Sequence, residues 1–358
     1  MDQHNLSKIK RRLTKFRGII RGLVLGATLG AVLLIVYVTA NPLINLVNTL
    51  VRGPQAAFSL VRDPQGVLRA SRGRTNILLL GMGGANHAGP ELTDSIILIS
   101  VNLESADTAL LSIPRDIWID SLKTKINATY YFGEQKKAGG GLILSKAAVE
   151  EVTGQPIHYA VVIDFDGFKQ AIDLVGGIDI NVLQSFDDFK YPIPGMEEAE
   201  PEELRYEHLH FDAGLQRLSG EKALKYVRSR NAEGEEGTDF ARARRQQQVL
   251  IAFKNKVLSL DTILSPIKIK ELVRTFQNSL KTDLSEAEYI SLAKLFFKAR
   301  NETIRHGVIE EEDPTLGKRG LLIQPPPTNY SGQWVLIGRN GSWDEVHEYV
   351  NDFLYKVQ

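Results

Sequence analysis

The chain of 358 residues contains no cysteine. Disulfide bonds and thiolate chemistry are therefore excluded, and the absence is compatible with an oxidising exterior compartment, where a stray thiol is a liability. The chain also has no net charge, because 43 Lys and Arg residues balance 43 Asp and Glu residues. A uniformly basic or acidic protein is excluded, so any charged surface must be local. The hydrophobic content of 43% is that of a folded protein with a large core.

A second absence is local, since residues 22–40 contain no charged side chain. As a helix, this largely apolar segment covers roughly 30 Å, the thickness of a bilayer core. The preceding residues 1–21 carry seven Lys and Arg residues against the single acid Asp2. Basic residues on one flank indicate that this flank is cytoplasmic. The sequence therefore predicts a cytoplasmic tail over residues 1–21, a single transmembrane helix over 22–40 in the cell membrane, and an extracytoplasmic remainder.

A cleaved secretory signal is the alternative interpretation of this segment. Such a signal has a shorter apolar stretch and ends at small residues. Residues 36–39 match this pattern poorly, but Ala40 is compatible with it. An uncleaved anchor is favoured, and cleavage stays open.

Residues 41–73 contain Pro54 and Pro64 and are interpreted as a juxtamembrane stalk, so the folded domain is expected to cover 74–358. Apolar runs bounded by turn residues predict strands at 76–80, 95–101, 109–113, 159–163, 178–182, 208–211 and 334–337. Helical spacing or capping patterns predict helices at 166–175, 219–225 and 239–258, and after Ser285 and Ser342. This alternation predicts a three-layer α/β/α sandwich with a mixed central sheet. The acidic stretch 187–207 is expected to be a solvated loop.

Two arginine clusters follow predicted secondary structure elements. Arg115 and Asp116 come directly after a buried strand, at the edge where α/β sheets tend to bind ligands, although a surface ion pair is an alternative. In the segment Tyr226 to Arg230, a strand would place Arg228 and Arg230 on one face, where they repel each other unless an anion lies between them. A continued helix would separate the two arginines and remove that argument.

A third cluster opens the predicted helix 239–258. Arg242, Arg245 and Gln246 share the helix face that continues through Val249, which must be buried. Cations in a first helical turn oppose the helix dipole, so a bound anion is expected there. Arg244 lies on another face and is expected to be solvated.

The fourth cluster is a glycine-rich loop over residues 81–90. It lacks the glycine at position 86 that a dinucleotide fingerprint needs and the Lys of a P-loop, so both motifs are excluded. Its backbone amides can still approach phosphate closely, and it leads to Asp94 at the start of the next strand. His87 is a possible further ligand. Together these clusters predict a pyrophosphate site assisted by a divalent metal.

In this order, the segments resemble the LytR-CpsA-Psr family of cell-wall glycan phosphotransferases. The resemblance rests on NILLLG, TDSIIL, SIPRD, KINA, a glycine cluster, VGGI, LSGEKALKYVRSR and DFARARRQQ, across residues 75–260. No single segment is decisive, but their shared order argues against chance.

The resemblance implies a membrane-anchored enzyme with an exterior catalytic domain. Its reaction would transfer a phosphate-linked glycan from a polyprenyl-pyrophosphate carrier to a cell-wall polymer such as peptidoglycan, forming a phosphodiester and releasing polyprenyl phosphate. The implied cofactor is Mg²⁺ or another divalent cation such as Mn²⁺, and the implied partners are the lipid-linked glycan, the wall polymer and membrane lipid. Nucleic acid is not among the partners, because a short cytoplasmic tail without a helix-turn-helix pattern cannot read DNA.

Residue by residue, Asp94 corresponds to a metal ligand of the family. The positions that correspond to its pyrophosphate-binding residues are Arg115, Lys125, Arg228, Arg230, Arg242 and Gln246, and the four arginines among them are the expected catalytic residues. Arg245 is added as a phosphate ligand from its predicted helix face. Asp116 and His87 are possible further ligands.

Two positions depart from the family pattern. Gly83 stands where the family usually has an aspartate, and Leu92 where it has an arginine. The usual pair of carboxylate ligands is therefore not expected, and metal binding should depend more on the substrate.

Two other functions would use the same features. A polyprenyl-pyrophosphate phosphohydrolase would place water where the wall hydroxyl attacks, and a non-catalytic membrane-bound regulator would need binding alone. An assay of the products separates transfer from hydrolysis.

Overall fold

The computed structural model describes residues 63–83, 92–312, 317 and 319–356. The chain divides into two compact units, Met1–Pro54 and Gln55–Gln358, and all described residues belong to the second. The predicted tail, transmembrane helix and most of the stalk lie outside the described residues, as does His87. Within the described part, no helix is long and apolar enough to cross a membrane.

The described residues form short and long strands in alternation with helices. The strands are β1 (Arg74–Met82), β2 (Thr93–Asn102), β3 (Thr108–Ser112), β4 (Trp118–Ile119), β5 (Thr124–Lys125), β6 (Tyr159–Asp164), β7 (Ile178–Val182), β8 (Phe186–Pro192), β9 (Tyr206–Phe211), β10 (Gly214–Leu218), β11 (Leu280–Thr282), β12 (Arg305–Val308), β13 (Leu322–Ile323) and β14 (Ile337–Gly338). The helices are α1 (Thr129–Lys136), α2 (Gly140–Thr153), α3 (Phe165–Leu174), α4 (Gly220–Arg228), α5 (Asp239–Val257), α6 (Leu260–Ile263), α7 (Pro266–Ser279), α8 (Glu286–Lys298) and α9 (Asp344–Tyr355).

The central sheet has six strands in the order β11-β6-β1-β2-β3-β12. β1 pairs antiparallel with β2 and parallel with β6, and β3 pairs antiparallel with β2 and parallel with β12. One edge of the sheet therefore collects the carboxyl ends of β1, β3, β6 and β12 and the amino end of β2. This edge, defined by Met82, Thr93, Ser112, Asp164 and Val308, is called the site edge below. The predicted mixed sheet is confirmed.

Helices cover both faces of the sheet, as the alternation of side chains along β1 requires. Leu78 and Leu80 belong to a core that includes residues of α2 and α9. Ile77 and Leu79 belong to a second core with residues of α5 and α8 on the other face. The predicted three layers are therefore present. A third core joins β7 to β10 with α3, α4 and α5.

Glycine sets the turn between α3 and β7. Gly176 and Gly177 both have φ of +83°, which favours glycine. A Cβ atom on Gly177 would lie 2.8 Å from the carbonyl oxygen of Leu218, so the close approach of the β10 strand requires glycine there. The predicted helix and the strand that follows it are confirmed, and β7 pairs with β10 outside the central sheet.

The prediction of a solvated loop over 187–207 is wrong at both ends of the stretch, where 187–192 lie in β8 and 206–207 in β9, whereas the middle is exposed as predicted, at Glu197, Glu198, Glu200, Glu202 and Glu203. β8 and β9 form an antiparallel hairpin there. Phe186, Asp188 and Tyr191 point inward, with exposed fractions of 4%, 0% and 3%. A buried carboxylate in an acidic stretch gives no apolar signal, which is why the sequence pattern failed to show the strand.

Other local predictions have mixed outcomes. The capping box of Ser285 and Glu288 is confirmed at the start of α8. The capping box predicted at Ser342 is wrong, because α9 begins at Asp344 without a side-chain cap, and Glu345 instead pairs with Arg339. Of the strand expected at 334–337, only residue 337 lies in β14.

The end of the predicted stalk is already part of the folded domain. Leu68 is 5% exposed within a core, and the backbone amide of Arg69 donates to the Tyr159 hydroxyl at 2.7 Å. His158 fixes the chain between Ser71 and Asn76 through hydrogen bonds to both residues. The backbone amide of Asn76 donates to Nδ1 of His158 at 2.9 Å. Nε2 must then carry the proton and donates to the Ser71 hydroxyl at 3.0 Å. Desolvation by burial, aided by the charges of Arg69 and Lys146, lowers the pKa of His158 from 6.5 to about 4.

This lowered pKa predicts a pH dependence of stability. Because the folded state disfavours protonation, the contribution of neutral His158 is complete above pH 6.5 and is lost as pH falls towards about 4. We expect the free energy of unfolding to fall by up to about 3 kcal/mol more in the wild type than in His158→Gln over this range. Urea titrations at several pH values measure the difference, and parallel curves for the two proteins would contradict the assignment.

Candidate active site

Asp94 and Arg115 meet at the site edge because β2 and β3 are antiparallel neighbours. Asp94 is the second residue of β2, and Arg115 follows the end of β3. Arg115 Nη1 donates to Asp94 Oδ1 in a very short contact. Burial disfavours the charge of Arg115, but Asp94 and Asp116 outweigh it, so the pKa of the guanidinium is raised above its ordinary value.

Asp116 and Lys125 extend this network beyond Arg115. Lys125 Nζ donates to Asp116 Oδ1 at 2.7 Å, and Asp116 Oδ2 lies 3.4 Å from Arg115 Nε. Lys125 also lies over the ring of Trp334, at 6.0 Å from its centroid. Both oxygens of the buried Asp116 are thus occupied by cations, so its expected role as a further metal ligand is not supported. Its geometry fits a residue that orients Arg115 and Lys125.

Arg242 lies in the first turn of α5, where the sequence predicts an anion site. Its side chain is 12% exposed, and its Nη2 lies 2.8 Å from Asp239 Oδ1. Desolvation lowers the pKa of Arg242 below its ordinary value. The charges of Arg115 and Arg230 also lower this pKa, whereas those of Asp239 and Asp94 raise it. Three guanidinium groups, those of Arg115, Arg230 and Arg242, thus lie near the two carboxylates of Asp94 and Asp239, an arrangement that favours binding of an anion.

Arg228 and Arg230 do not lie on a strand. α4 continues through Arg228, and Ser229 turns the chain out of the helix, so the argument from strand periodicity does not hold. Arg228 lies 4.5 Å from the ring centroid of Phe165, the first residue after β6, and its Nη1 donates to the Tyr191 hydroxyl at 3.2 Å. Among the described residues, neither arginine forms an ion pair with a carboxylate, and Arg230 is exposed. Both remain able to receive an external anion.

Arg245 points inward as predicted, but it does not offer a donor to the site edge. Its Nε donates to the Tyr226 carbonyl at 3.0 Å, its Nη2 to the Ser229 carbonyl, and its Nη1 to Glu236 Oε2 at 2.7 Å. With a side chain only 1% exposed, Arg245 has no nitrogen free for phosphate. The expectation that it binds pyrophosphate is therefore replaced by a structural role.

Gln246 and Gln247, two neighbouring glutamines of α5, differ in the same way. Gln247 is buried, and its Nε2 donates to the Ser112 hydroxyl at 2.9 Å and to the Gly307 carbonyl at 2.8 Å, so it ties α5 to β3 and β12. Gln246 is half-buried and follows Arg242 by one helical turn, which keeps it on the site side of the helix. The sequence pattern could not separate these two roles.

The structure thus brings Asp94, Arg115 and Arg230 within electrostatic range of Arg242 at the site edge. Asp239, which the sequence interpretation did not select, joins them, because its charge acts on Arg115 and Arg242. The sequence feature that could have indicated this role is the position of Asp239 directly before the arginine cluster. A family model described as the LytR_cpsA_psr family matches residues 49–328.

The chain belongs to the LytR-CpsA-Psr family. The family predicted from the sequence is therefore confirmed, and the match covers the site edge and every described residue that the resemblance selected.

Named relatives of this family member include two bacterial transferases. TagU of Oceanobacillus iheyensis, named a polyisoprenyl-teichoic acid--peptidoglycan teichoic acid transferase, is 30% identical over 265 residues, 72% of this chain and 75% of that protein. TagV of Bacillus subtilis, with the same activity in its name, is 30% identical over 244 residues, 66% of this chain and 56% of that protein. The predicted transferase class is confirmed by these relatives.

The fold also agrees with a solved structure of the family. The crystal structure of B. subtilis TagV matches with a TM-score of 0.55 and 25% sequence identity, covering 81% of this chain and 100% of that chain. The mixed sheet with flanking helices is therefore the fold of this LytR-CpsA-Psr protein.

The different surroundings of Arg242 and Arg244 predict different effects of mutation. Arg242→Ala removes a cation from the site edge and should reduce glycan transfer by about 10- to 100-fold, since a charge-assisted hydrogen bond contributes about 1.5–3 kcal/mol. Arg244 pairs with Glu236 away from this edge, so Arg244→Ala should leave transfer nearly unchanged. Transfer rates of folded variants measure both effects, and equal losses would show that the wrong helix face was assigned.

Substitution of Arg245 is expected to reduce the stability of the fold. Arg245→Met leaves the carbonyls of Tyr226 and Ser229 without their donors and removes one of two cations from the buried Glu236. We expect a loss of about 3–5 kcal/mol in the free energy of unfolding. The matched variant Arg244→Met, at a part-exposed position, should lose about 1 kcal/mol or less. Urea unfolding of both proteins provides the comparison, and a stable Arg245→Met protein would overturn the structural role.

Proposed function

We propose that the site edge binds the pyrophosphate of a polyprenyl-linked glycan and transfers the glycan, with its phosphate, to a cell-wall polymer. The observation that carries this proposal is the grouping of Arg115, Arg230 and the largely buried Arg242 beside the two carboxylates of Asp94 and Asp239. Arginine matches phosphate oxygens geometrically and keeps its charge when buried. The names of TagU and TagV support a polyprenyl-linked donor and a peptidoglycan acceptor.

In the proposed reaction, a hydroxyl of the acceptor attacks the phosphorus next to the glycan. The bond from that phosphorus to the bridging oxygen breaks, a phosphodiester forms, and polyprenyl phosphate leaves with the bridging electrons. Arg115 and Arg242, fixed by Asp94 and Asp239, are positioned to hold the equatorial oxygens. Arg228 and Arg230, without carboxylate partners, are available for the charge that grows on the leaving phosphate. Lys125 and Gln246 add donors beside this group.

A divalent cation fits this site only if the protein and the substrate both supply its ligands. Asp94 supplies one carboxylate, and Gly83 supplies none. The described residues contain no group of three or more His, Asp or Glu side chains able to hold a metal ion. We infer that Asp94 and substrate oxygens together hold Mg²⁺ or Mn²⁺, which when bound would reduce the negative charge on the phosphates.

The proposed location follows from the sequence alone. Residues 22–40 would anchor the chain in the cell membrane with residues 1–21 in the cytoplasm, so that the catalytic domain faces the wall. A membrane-embedded polyprenyl carrier and an exterior wall polymer would then meet at the same protein.

Hydrolysis of the same donor is the rival function, with water as the attacking group. The full chain in detergent, incubated with a polyprenyl pyrophosphate bearing a labelled glycan and with wall fragments, separates the two. We expect label on the wall fragments together with polyprenyl phosphate. Label that appears only in soluble glycan phosphate would establish a phosphohydrolase, and binding without any product would favour a regulator.

The single carboxylate predicts coupled binding of metal and lipid. Mg²⁺ alone should bind weakly, because it prefers six oxygens and one carboxylate supplies few of them. Polyprenyl pyrophosphate should raise the affinity for Mg²⁺, and Mg²⁺ should raise the affinity for the lipid by the same factor. Calorimetric titration with and without the lipid measures this coupling.

Two outcomes bear on the assignment of the metal site. Tight Mg²⁺ binding to the lipid-free protein would show that another residue has replaced the missing ligand. A folded Gly83→Asp variant should bind Mg²⁺ more tightly without lipid, and an unchanged affinity would count against this placement.

A further inference from the structure

A pocket of about 330 Å³ opens beside Arg230. Its wall is built by the end of β8, the start of β9 and the chain between them, the stretch in which the sequence suggested only a solvated loop. The side chains that matter for its chemistry are those of Lys190, Glu197, Arg205, Tyr206, Arg230 and Asn231. Its volume is at the lower end of the range of small-molecule sites, roughly 300–1000 Å³.

A buried carboxylate fixes the pocket to the segment that carries Arg230. Asp188 is 0% exposed, and its Oδ2 accepts hydrogen bonds from the Ser229 hydroxyl at 2.7 Å and the Asn231 amide at 3.3 Å. Its Oδ1 accepts from the Lys190 amide at 3.0 Å. Asn231 Nδ2 also donates to the Lys190 carbonyl at 2.9 Å. Because a buried carboxylate is costly without these donors, both walls are held in one geometry.

Among the residues that line the pocket, the cations Lys190, Arg205 and Arg230 outnumber the single acid Glu197. Arg205 is partly neutralised by Glu200, and its Nε donates to the Ala199 carbonyl at 2.8 Å. Lys190 is exposed and has no ion pair within the described residues. Tyr206 adds a half-buried aromatic ring to the same wall, a surface suited to the apolar side of a sugar ring.

Arg230 connects this pocket to the site edge. It lines the pocket, and its charge also acts on Arg242. In a sugar pyrophosphate, a single ester oxygen joins the sugar to the nearer phosphorus. A phosphate held between Arg230 and Arg242 would therefore bring its own sugar to the mouth of this pocket.

We propose that this pocket binds the first sugar of the transferred glycan and favours an acidic sugar, whose anionic group Lys190 holds. The inference rests on the proposed function of the site edge. It assigns a glycan-selective role to the β8–β9 hairpin, which the pyrophosphate chemistry does not require.

The test compares three probes on the full chain in detergent. They are polyprenyl pyrophosphate without sugar, the same lipid with one N-acetylglucosamine, and the same lipid with one glucuronic acid. Dissociation constants are measured for the wild type and for Lys190→Glu. The matched control is Lys270→Glu, an exposed lysine of α7 that has no ion pair in the described part of the chain.

In the wild type, the glucuronic acid probe should bind most tightly. Lys190→Glu should weaken its binding by about tenfold or more, because a charge-assisted hydrogen bond is replaced by repulsion. The N-acetylglucosamine probe should lose much less, and the sugar-free lipid should be unaffected. Tyr206→Ala should weaken both sugar-bearing probes without affecting the sugar-free lipid, and Lys270→Glu should bind all three like the wild type.

Two results would overturn this inference in distinguishable ways. If the wild type binds the sugar-free lipid but the sugars add nothing, or if Lys190→Glu changes all three probes equally, the pocket is not a glycan site and the proposed function stands. If the wild type binds none of the three lipids, the proposed function fails and the pocket assignment fails with it.

Discussion

The buried pair of Glu236 and Arg245 fixes the two helices that carry Arg228 and Arg242 to each other. The side chains of the two residues are 7% and 1% exposed, and Nη1 of Arg245 lies 2.7 Å from Oε2 of Glu236. The remaining donors of Arg245 hold carbonyl groups at the end of α4 and just beyond it. One guanidinium thus joins the end of α4 to α5. Since α4 ends at Arg228 and the first turn of α5 contains Arg242, the geometry of the site depends on a residue that never meets the substrate.

Several cations at one edge of a sheet repel each other, so the fold must hold them by separate means. Asp94 neutralises part of the charge of Arg115, and Asp239 does the same for Arg242. Arg228 is covered by the ring of Phe165 instead. This leaves Arg228 and Arg230 without a carboxylate partner among the described residues, an arrangement that is present before the substrate arrives. Donors that need no rearrangement during reaction are the basis of electrostatic catalysis.

The four inner strands of the central sheet, β6, β1, β2 and β3, were predictable because they are largely buried on both faces and appear in the sequence as short apolar runs, from the run around Leu78 to that around Val162. The short edge strands β11 and β12 were not predicted, because they are partly exposed and give no apolar run. The site residues at strand and helix ends were predictable for a related reason, since charged residues directly after apolar runs must emerge at an edge. What failed was the part that depends on tertiary pairing. The periodicity of α5 placed Arg245 inward, but only the position of Glu236 decides that it serves the fold. Asp188 looked like one acid among many, although its carboxylate accepts hydrogen bonds from Ser229 and Asn231, which lie just after α4.

The two departures from the family pattern, Gly83 and Leu92, have opposite effects on the charge of the site. Gly83 removes one negative charge from the site, and Leu92 removes one positive charge, so the net charge offered to pyrophosphate stays the same. The attraction for the substrate is long-ranged and depends on this sum, whereas metal coordination is short-ranged and depends on individual oxygens. Under the proposed function, losing the pair would therefore preserve the attraction for pyrophosphate and weaken only the protein's own hold on a metal ion. The substrate's oxygens would then complete the coordination of that ion, so the metal site would be complete only when the donor lipid is bound.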